Sequence, residues 1–301
     1  SVPPYHVAGI ANIVTNVYRG RRIAYLPDFT PEGWLDAVRS ERITNAMVVP
    51  TMLARVVEHL DGRPAGCPTL RSLSYGGSRM PTTVLERALA AFPDADFVNA
   101  YGLTETSSTL AILGPEDHRA ARDGDAIARR RLASAGRPVP GVEVDVRDGE
   151  IWVRGEQVSG EYLGREPAVD ADGWFPTRDR GWVDADGYLF VDGRADDTII
   201  RGGENIAPAE VEDALLTHPA VADAAVVGVA DDEWGQRLVA VVVARVGAVV
   251  DPDDVRAHVR QRVRSSRTPD AVLVRDHLPR TDTGKLLRRQ VLADVEAEVI
   301  G

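Results

Sequence analysis

The sequence predicts an α/β protein in two unequal parts, and three observations predict it. Strand-length apolar runs alternate with helical patterns as far as residue 134, the order expected of a mostly parallel sheet with helical crossovers. From Gly136 the pattern changes to short strands separated by Gly turns, as in a small antiparallel β subdomain. Beyond Asp197 strands and helices begin again, and 301 residues accommodate two domains. The expected division is one larger domain over residues 1–192 (α/β in 1–134, β subdomain in 135–192), a hinge at 193–197, and a small α+β domain over 198–301.

The elements follow in order. An apolar, small-residue helix is predicted over Val7 to Tyr18 and a strand over Arg22 to Leu26. Thr30 is an N-cap with Pro31 at the first helical position, starting a helix to about Glu41. Strand Asn45 to Val49 and helix Pro50 to Leu60 follow. The next unit repeats the order: strand Leu70 to Tyr75, a tight Gly76-Gly77-Ser78 loop, helix Pro81 to Phe92, and strand Phe97 to Asn99. Glu116 to Arg131 is charged and Ala-rich, a surface segment with some helix. Strands Val142 to Val146 and Glu150 to Arg154 flank the turn Asp148-Gly149. The turn Asp186-Gly187 precedes strand Tyr188 to Val191. Asp192 to Asp197 has no apolar period and reads as a surface connector. After it come strand Thr198 to Ile200, a Gly202-Gly203 turn, and a helix from about Pro208. Apolar strands Val221 to Val229 and Leu238 to Val246, helix Pro252 to Arg264, strand Ala271 to Val274 and helix Leu286 to Glu298 complete the small domain.

Composition narrows the function. A net charge of −11 argues against a general nucleic-acid binder. One cysteine, Cys67, excludes an internal disulfide and a Cys-cluster metal site, and suits a reducing cytoplasm. No apolar run is long enough to span a bilayer. The first residue is not Met, and Ser1-Val2-Pro3-Pro4-Tyr5-His6 lacks the order of a signal peptide. Among 35 basic residues the only lysine is Lys285, conspicuous because Lys and Arg differ most where a compact point charge is wanted.

Several stretches can carry chemistry, each with a plain structural alternative. Asn99-Ala100-Tyr101-Gly102-Leu103-Thr104-Glu105-Thr106 closes a strand, where ligands of open α/β sheets bind. Its aromatic ring can stack a base, its hydroxyl can meet a phosphate and its carboxylate can hold Mg²⁺. An ordinary strand-end turn is the alternative. Ser74-Tyr75-Gly76-Gly77-Ser78 can bring backbone close to a flat ligand, or can be a Gly-rich turn. Asp179 can accept two hydrogen bonds from a vicinal diol. Lys285, after Thr283-Gly284, sits in a loop before a helix, as an exposed basic helix start would. A lone His6 near an apolar run is more often a packed or capping residue than a catalyst. His118, His218, His258 and His277 read as surface or turn residues.

Together these motifs, in this order, resemble the adenylate-forming superfamily in its acyl-CoA synthetase branch. They are Pro3 to Ile10 (PPYHVAGI), Ser74 to Ser78, Asn99 to Thr106, Trp174 to Asp179 (WFPTRD), Gly193 to Glu212 (GRADDTIIRGGENIAPAEVE) and Pro279 to Arg289 (PRTDTGKLLRR). The resemblance covers nearly the whole chain. It implies the large adenylate-binding domain followed by a mobile C-terminal α+β domain. Its implied activity is ATP-dependent activation of a carboxylic acid to acyl-AMP, then transfer to coenzyme A. ATP, AMP, Mg²⁺ and coenzyme A are the implied ligands. Peptide-synthetase adenylation modules and acyl-AMP ligases are the alternatives within the family. A non-catalytic nucleotide-binding fragment is the alternative outside it.

By resemblance, Gly76, Gly77 and Ser78 lie against adenine, Tyr101 packs on it, and Asn99, Ala100 and Gly102 line the same site. Thr104 touches the α-phosphate and Glu105 binds Mg²⁺. Asp179 holds the ribose with Arg194 as a second partner, and Arg178 stands where the family most often carries Gly. Asp196 is the pivot, Gly202 and Gly203 flank the thiol tunnel, Lys285 is the catalytic lysine, and His6 is a gate between acyl pocket and tunnel. Small residues at Gly9, Ala11, Ala100 and Ser107 suggest a roomy acyl pocket. The family's phosphate loop ends in Pro-Lys-Gly, which these residues do not contain, so the sequence reads as the C-terminal portion of such an enzyme. Residues 1–301 alone are therefore expected to bind adenylates weakly and to catalyse no ATP–pyrophosphate exchange; robust exchange by this chain would overturn that expectation.

Overall fold

The computed structural model describes residues 4, 6–107, 109–159, 168–281 and 284–300. It divides into two compact units, one of residues 1–177 with 181–191, the other of 178–180 with 192–301.

The first unit begins with α1 (Val7–Tyr18), capped by His6, whose Nδ1 accepts from the Ala8 amide at 3.2 Å. α2 (Pro31–Ser40) starts at the expected cap, where the Thr30 hydroxyl accepts from Gly33 N at 3.0 Å. β1 (Asn45–Val48), α3 (Pro50–Leu60), β2 (Ser72–Gly76), α4 (Thr82–Ala91) and β3 (Asp96–Tyr101) alternate as anticipated, and β1, β2 and β3 pair in parallel. The sheet then turns antiparallel through β4 (Ala111–Leu113) and β5 (Arg137–Pro138), two short strands the pattern did not reveal. Its core is the apolar set of α2, α3 and α4 packed on Val48, Leu73, Tyr75 and Phe97.

Residues 22–26 form no strand. β1 ends the sheet at that side and pairs only with β2, so the segment has no ladder to join. The Arg22 guanidinium instead bonds the carboxylate and carbonyl of Glu41.

Residues 116–131 are two helices, α5 (Pro115–Arg122) and α6 (Ala126–Arg131). His118, expected at the surface, is buried. Its Nδ1 lies 2.6 Å from the Gly114 carbonyl, which can only accept, so Nδ1 carries the proton. Nε2 therefore accepts from the Tyr75 hydroxyl at 2.8 Å. The Phe97 ring lies beside it. A polar pair on the apolar face of α5 is invisible to a reading that sorts residues by polarity.

A second sheet orders β6 (Val142–Arg147), β7 (Glu150–Gly155), β8 (Phe175–Val183) and β9 (Leu189–Arg194) in sequence, with β6 and β7 antiparallel. Asp148 and Gly149 make the two-residue turn between β6 and β7. β8 was hidden by its Asp and Gly content. β9 runs to Arg194, so half of the expected connector is strand, and Ala195–Asp197 is a single 3-10 turn.

In the second unit β10 (Ile199–Arg201) and β11 (Glu204–Ile206) form a hairpin. Gly202 and Gly203 turn it with φ of +55° and +82°. α7 (Pro208–Leu216) follows. β12 (Val221–Asp231) and β13 (Gly235–Ala244) are antiparallel, and β14 (Ala271–Arg275) lies parallel to β13. α8 (Pro252–Arg260) stops a turn before the expected Arg264, and α9 (Arg288–Ile300) starts two residues late. The strands are apolar on both faces because both are covered. Val226, Leu238, Ala240 and Val242 cluster with Val211, Leu215, Val255 and Val259 of α7 and α8. Val227, Val229, Val239 and Val241 cluster with Val291 and Val295 of α9. His218, also expected at the surface, is buried, its Nε2 3.1 Å from Asp254. His258 is half-buried and His277 exposed.

Burial holds the pKa of His118 below its ordinary value near 6.5, and burial pushes the Tyr75 phenol up. Below that ordinary value the unfolded chain takes a proton that the folded one refuses. Stability is thus full above about pH 6.5 and falls as pH drops toward the folded pKa, by at most about 1.4 kcal/mol per pH unit. Urea unfolding between pH 7.5 and 5 should show this slope, and His118→Gln should flatten it; an unchanged slope would remove His118 as its source.

Candidate functional site

The first group of candidate residues is assembled by strand register. β2 and β3 run side by side and end together, with Tyr75 opposite Asn99 and Gly76 opposite Ala100. Two loops, Gly77–Ser78 and Gly102–Thr106, therefore leave the sheet at the same end, beyond the carboxyl ends of neighbouring parallel strands. Gly76 is required there: a Cβ would stand 2.3 Å from the Ala100 carbonyl oxygen. Gly77 continues with φ of +86°.

Asn99 is half-buried and its amide donates to the Ser134 carbonyl at 3.2 Å. The Tyr101 ring packs against the cluster that holds Leu110, Ile151 and Val153, and its carbonyl accepts from Leu110 N at 2.7 Å. After Gly102 the chain makes a 3-10 turn, Thr104–Thr106. The residue that locks this turn, Thr106, was not singled out from sequence. It is fully buried, and its hydroxyl accepts from Leu103 N and donates to Leu103 O, both at 3.0 Å. Thr104 is thereby left exposed and Glu105 half-buried. The Glu105 carbonyl accepts from Ser159 N at 2.9 Å, and the Ser107 hydroxyl donates to the Gln157 carbonyl at 3.1 Å, so residues 157–159 brace the turn from outside.

His6 is half-buried, and its imidazole serves as the cap of α1, where Gly9 is buried. Pro3, Tyr5, Asp282 and Thr283, which belong to the motifs around His6 and Lys285, lie outside the described residues.

The remaining candidates belong to the second unit. Asp179 is buried and accepts from Arg194 Nη1 at 3.0 Å. Its neighbour Arg178 has φ of +59°, which gives the physical reason for a glycine preference at that position. Asp196 is exposed within the 3-10 turn. Gly202 N donates to the Trp234 carbonyl at 2.8 Å, and the half-exposed Trp234 ring lies against the Gly202 backbone; Trp234 was not singled out from sequence.

Lys285 is exposed at a tight loop closed by Thr281 N to Lys285 O at 2.9 Å and Lys285 N to the Thr281 hydroxyl at 3.1 Å. Arg280 anchors that loop, donating to the Gly284 carbonyl at 2.8 Å and to both Asp223 carboxylate oxygens at 2.7 and 2.9 Å.

Among the described residues no group of three His, Cys, Asp or Glu side chains could cage a metal. A single half-buried carboxylate such as Glu105 fits Mg²⁺, which is held by one or two carboxylates together with phosphate oxygens and water. No described helix is long and apolar enough to cross a membrane.

Residues 1–163, more than half of the chain, match the family described as AMP-binding enzyme, and residues 210–285 match its C-terminal domain. The chain belongs to the AMP-binding enzyme family. A fatty acid–[acyl-carrier-protein] ligase of Streptomyces coeruleorubidus is 34% identical to it across 96% of this chain and 57% of that protein. A feruloyl-CoA synthase of an Amycolatopsis species is 37% identical across 97% of this chain and 60% of that protein. The o-succinylbenzoate CoA synthetase of Bacillus subtilis, solved with its acyl-adenylate intermediate, superposes with a TM-score of 0.81 at 33% identity. That match covers 96% of this chain and 59% of the synthetase. This AMP-binding enzyme chain thus spans a little under three-fifths to three-fifths of the length of these relatives. The two-part α/β architecture expected from the motifs is that of the adenylate-forming enzymes.

Gly76→Ala is expected to force β2 and β3 apart at the site and to cost about 1–3 kcal/mol of stability. Urea unfolding of the variant measures it, and a cost below about 0.5 kcal/mol would mean that the backbone yields there.

Proposed function

We propose that this protein is an ATP-dependent, AMP-forming acid–thiol ligase. It joins a carboxylic acid to ATP as acyl-AMP with release of pyrophosphate, then passes the acyl group to the thiol of coenzyme A with release of AMP. The observation that carries this reading is the convergence of the Gly76-Gly77-Ser78 loop and the Tyr101–Thr106 segment on the ends of two adjacent parallel strands. Family membership and the CoA-ligase names of its relatives support it.

In this reading Gly76, Gly77 and Ser78 offer close backbone to one face of adenine, and Tyr101 packs on it beside Asn99, Ala100 and Gly102. Thr104, exposed by the Thr106 lock, donates its hydroxyl to the α-phosphate. Glu105 would hold Mg²⁺, which when bound supplies charge neutralisation at the phosphates. Asp179 accepts from the ribose hydroxyls, and Arg194 orients its carboxylate. Lys285 lies between the attacking carboxylate and the α-phosphate and stabilises the negative charge brought together in the transition state. Asp196 is the pivot, around which the residues that follow it exchange Lys285 for the Gly202-Gly203 hairpin and its thiol path between half-reactions. His6 borders the acyl pocket as a gate.

The acceptor has a second reading. The Streptomyces relative is named for an acyl-carrier-protein acceptor. Comparing coenzyme A with a carrier protein as acceptor, across a panel of fatty and aromatic acids scored by pyrophosphate release, distinguishes the two.

Lys285→Ala in the protein at its native length is expected to slow adenylate formation on the order of 10²–10³-fold, about 3–4 kcal/mol. Transfer from preformed acyl-AMP to the thiol should remain nearly intact. Lys285→Arg should rescue poorly, because a planar fork does not replace a compact ammonium. Equal loss in both half-reactions, or loss in neither, would remove Lys285 from the mechanism.

A further inference from the structure

The connector is bracketed by two ion pairs. On one side Arg194 is held by Asp179 at 3.0 Å. On the other, the Asp197 carboxylate stands 3.4 Å from Nε of Arg288, the first residue of α9, as a charge contact without hydrogen-bond geometry. Between these two held residues lie only Ala195 and Asp196. Asp196 is exposed, and no hydrogen bond or ion pair engages its side chain among the described residues.

Arg288 is more than a surface partner. Its side chain is 18% exposed, and its guanidinium reaches three elements at once. Nη1 donates to the Glu212 carboxylate of α7 at 2.5 Å and to the Val226 carbonyl of β12 at 2.6 Å; Nη2 donates to the other Glu212 oxygen at 3.3 Å. Glu212, also mostly buried, accepts in addition from Val226 N at 2.9 Å. The planar fork of an arginine suits this; an ammonium offers no comparable span. Arg288 also follows the Lys285 loop by three residues, and Leu286 and Leu287 between them are tied back to Arg280 and Pro279.

We propose that Arg288 is the positioning residue that fastens the end of the connector to the loop carrying Lys285. A turn at Ala195–Asp196 is then delivered to the lysine as a rigid displacement. Without the Asp197–Arg288 contact, the rotation is partly lost in Asp197 and Thr198. Glu212 and Val226 fix Arg288 to the core of the second unit, and Asp197 is the member that reads the connector. This inference rests on the adenylate-forming reading above and adds to it a physical route from pivot to lysine.

Asp197→Asn and Arg288→Lys, each alone and each combined with Lys285→Ala, test it in the protein at its native length. Asp197→Asn removes one partly exposed charge contact and should slow adenylate formation about threefold. Arg288→Lys keeps the charge beside Glu212 but loses the fork, and should slow it about tenfold. In the Lys285→Ala background neither change should add a further loss, because both act through the lysine.

Hydrogen exchange gives a readout that does not need activity. Asp197→Asn should raise exchange at residues 195–199 and at 284–287 together, while β12 stays protected. Losses that simply add to that of Lys285→Ala, or faster exchange at the connector without any at the lysine loop, would overturn the proposal. If the unaltered protein formed no acyl-adenylate, the ligase reading would fail, and the exchange experiment would still decide whether the two segments are coupled.

Discussion

The close parallel pairing of Ser72–Gly76 with Asp96–Tyr101 is the constraint on which the first unit's site depends. Backbone at Gly76 approaches the Ala100 carbonyl so nearly that a methyl group would overlap it. That approach brings two loops to one end of the sheet. The loops then need their own locks, because backbone leaving a strand has no ladder to satisfy it. Thr106 supplies one through both polar atoms of Leu103, and residues 157–159 supply the other through Glu105 and Ser107. Beneath the strands, Tyr75 and His118 close a buried polar pair, so the same sheet end is held from its core side as well.

The second unit is organised by a different economy of contacts. Its three-stranded sheet is covered by apolar packing on both faces. The polar groups that matter lie at its margins: Arg280 on Asp223, Arg201 on Asp270, and Arg288 on Glu212 and Asp197. Each is an arginine with a fork-like partner set, while the single lysine stands exposed at a loop. This division of labour matches the chemistry of the two side chains. The guanidinium spans several acceptors and fixes geometry; the ammonium is a compact charge that can meet a ligand.

Much of this could be read along the chain. The alternation of strands and helices, the Thr30 cap, the Asp148-Gly149 and Gly202-Gly203 turns and the apolar strands read at Val221 to Val229 and Leu238 to Val246 are local patterns, and local backbone chemistry produces them. The failures have physical causes too. Arg22 to Leu26 has strand composition but no neighbour to pair with. Phe175–Val183 pairs despite Asp and Gly in its sequence, because its partners on either side provide the ladder. His118 and His218 are buried because their ring nitrogens find partners at Tyr75, Gly114 and Asp254, and nothing in their own neighbourhoods announces those partners.

The sequence by itself determined the residue types available for chemistry, their order and the family they belong to, since motif spacing and turn chemistry are written locally. Only the tertiary structure decided which of those residues meet. Gly76 and Ala100 are neighbours through parallel register across a helical crossover. Asp197 and Arg288 are neighbours although ninety residues separate them in sequence, because α9 returns across the sheet. Thr106, Trp234 and Arg288 acquire their roles in the same way, from partners that short-range patterns cannot specify. Such contacts depend on the closing of long loops, whose stability comes from the whole packed core rather than from any one segment.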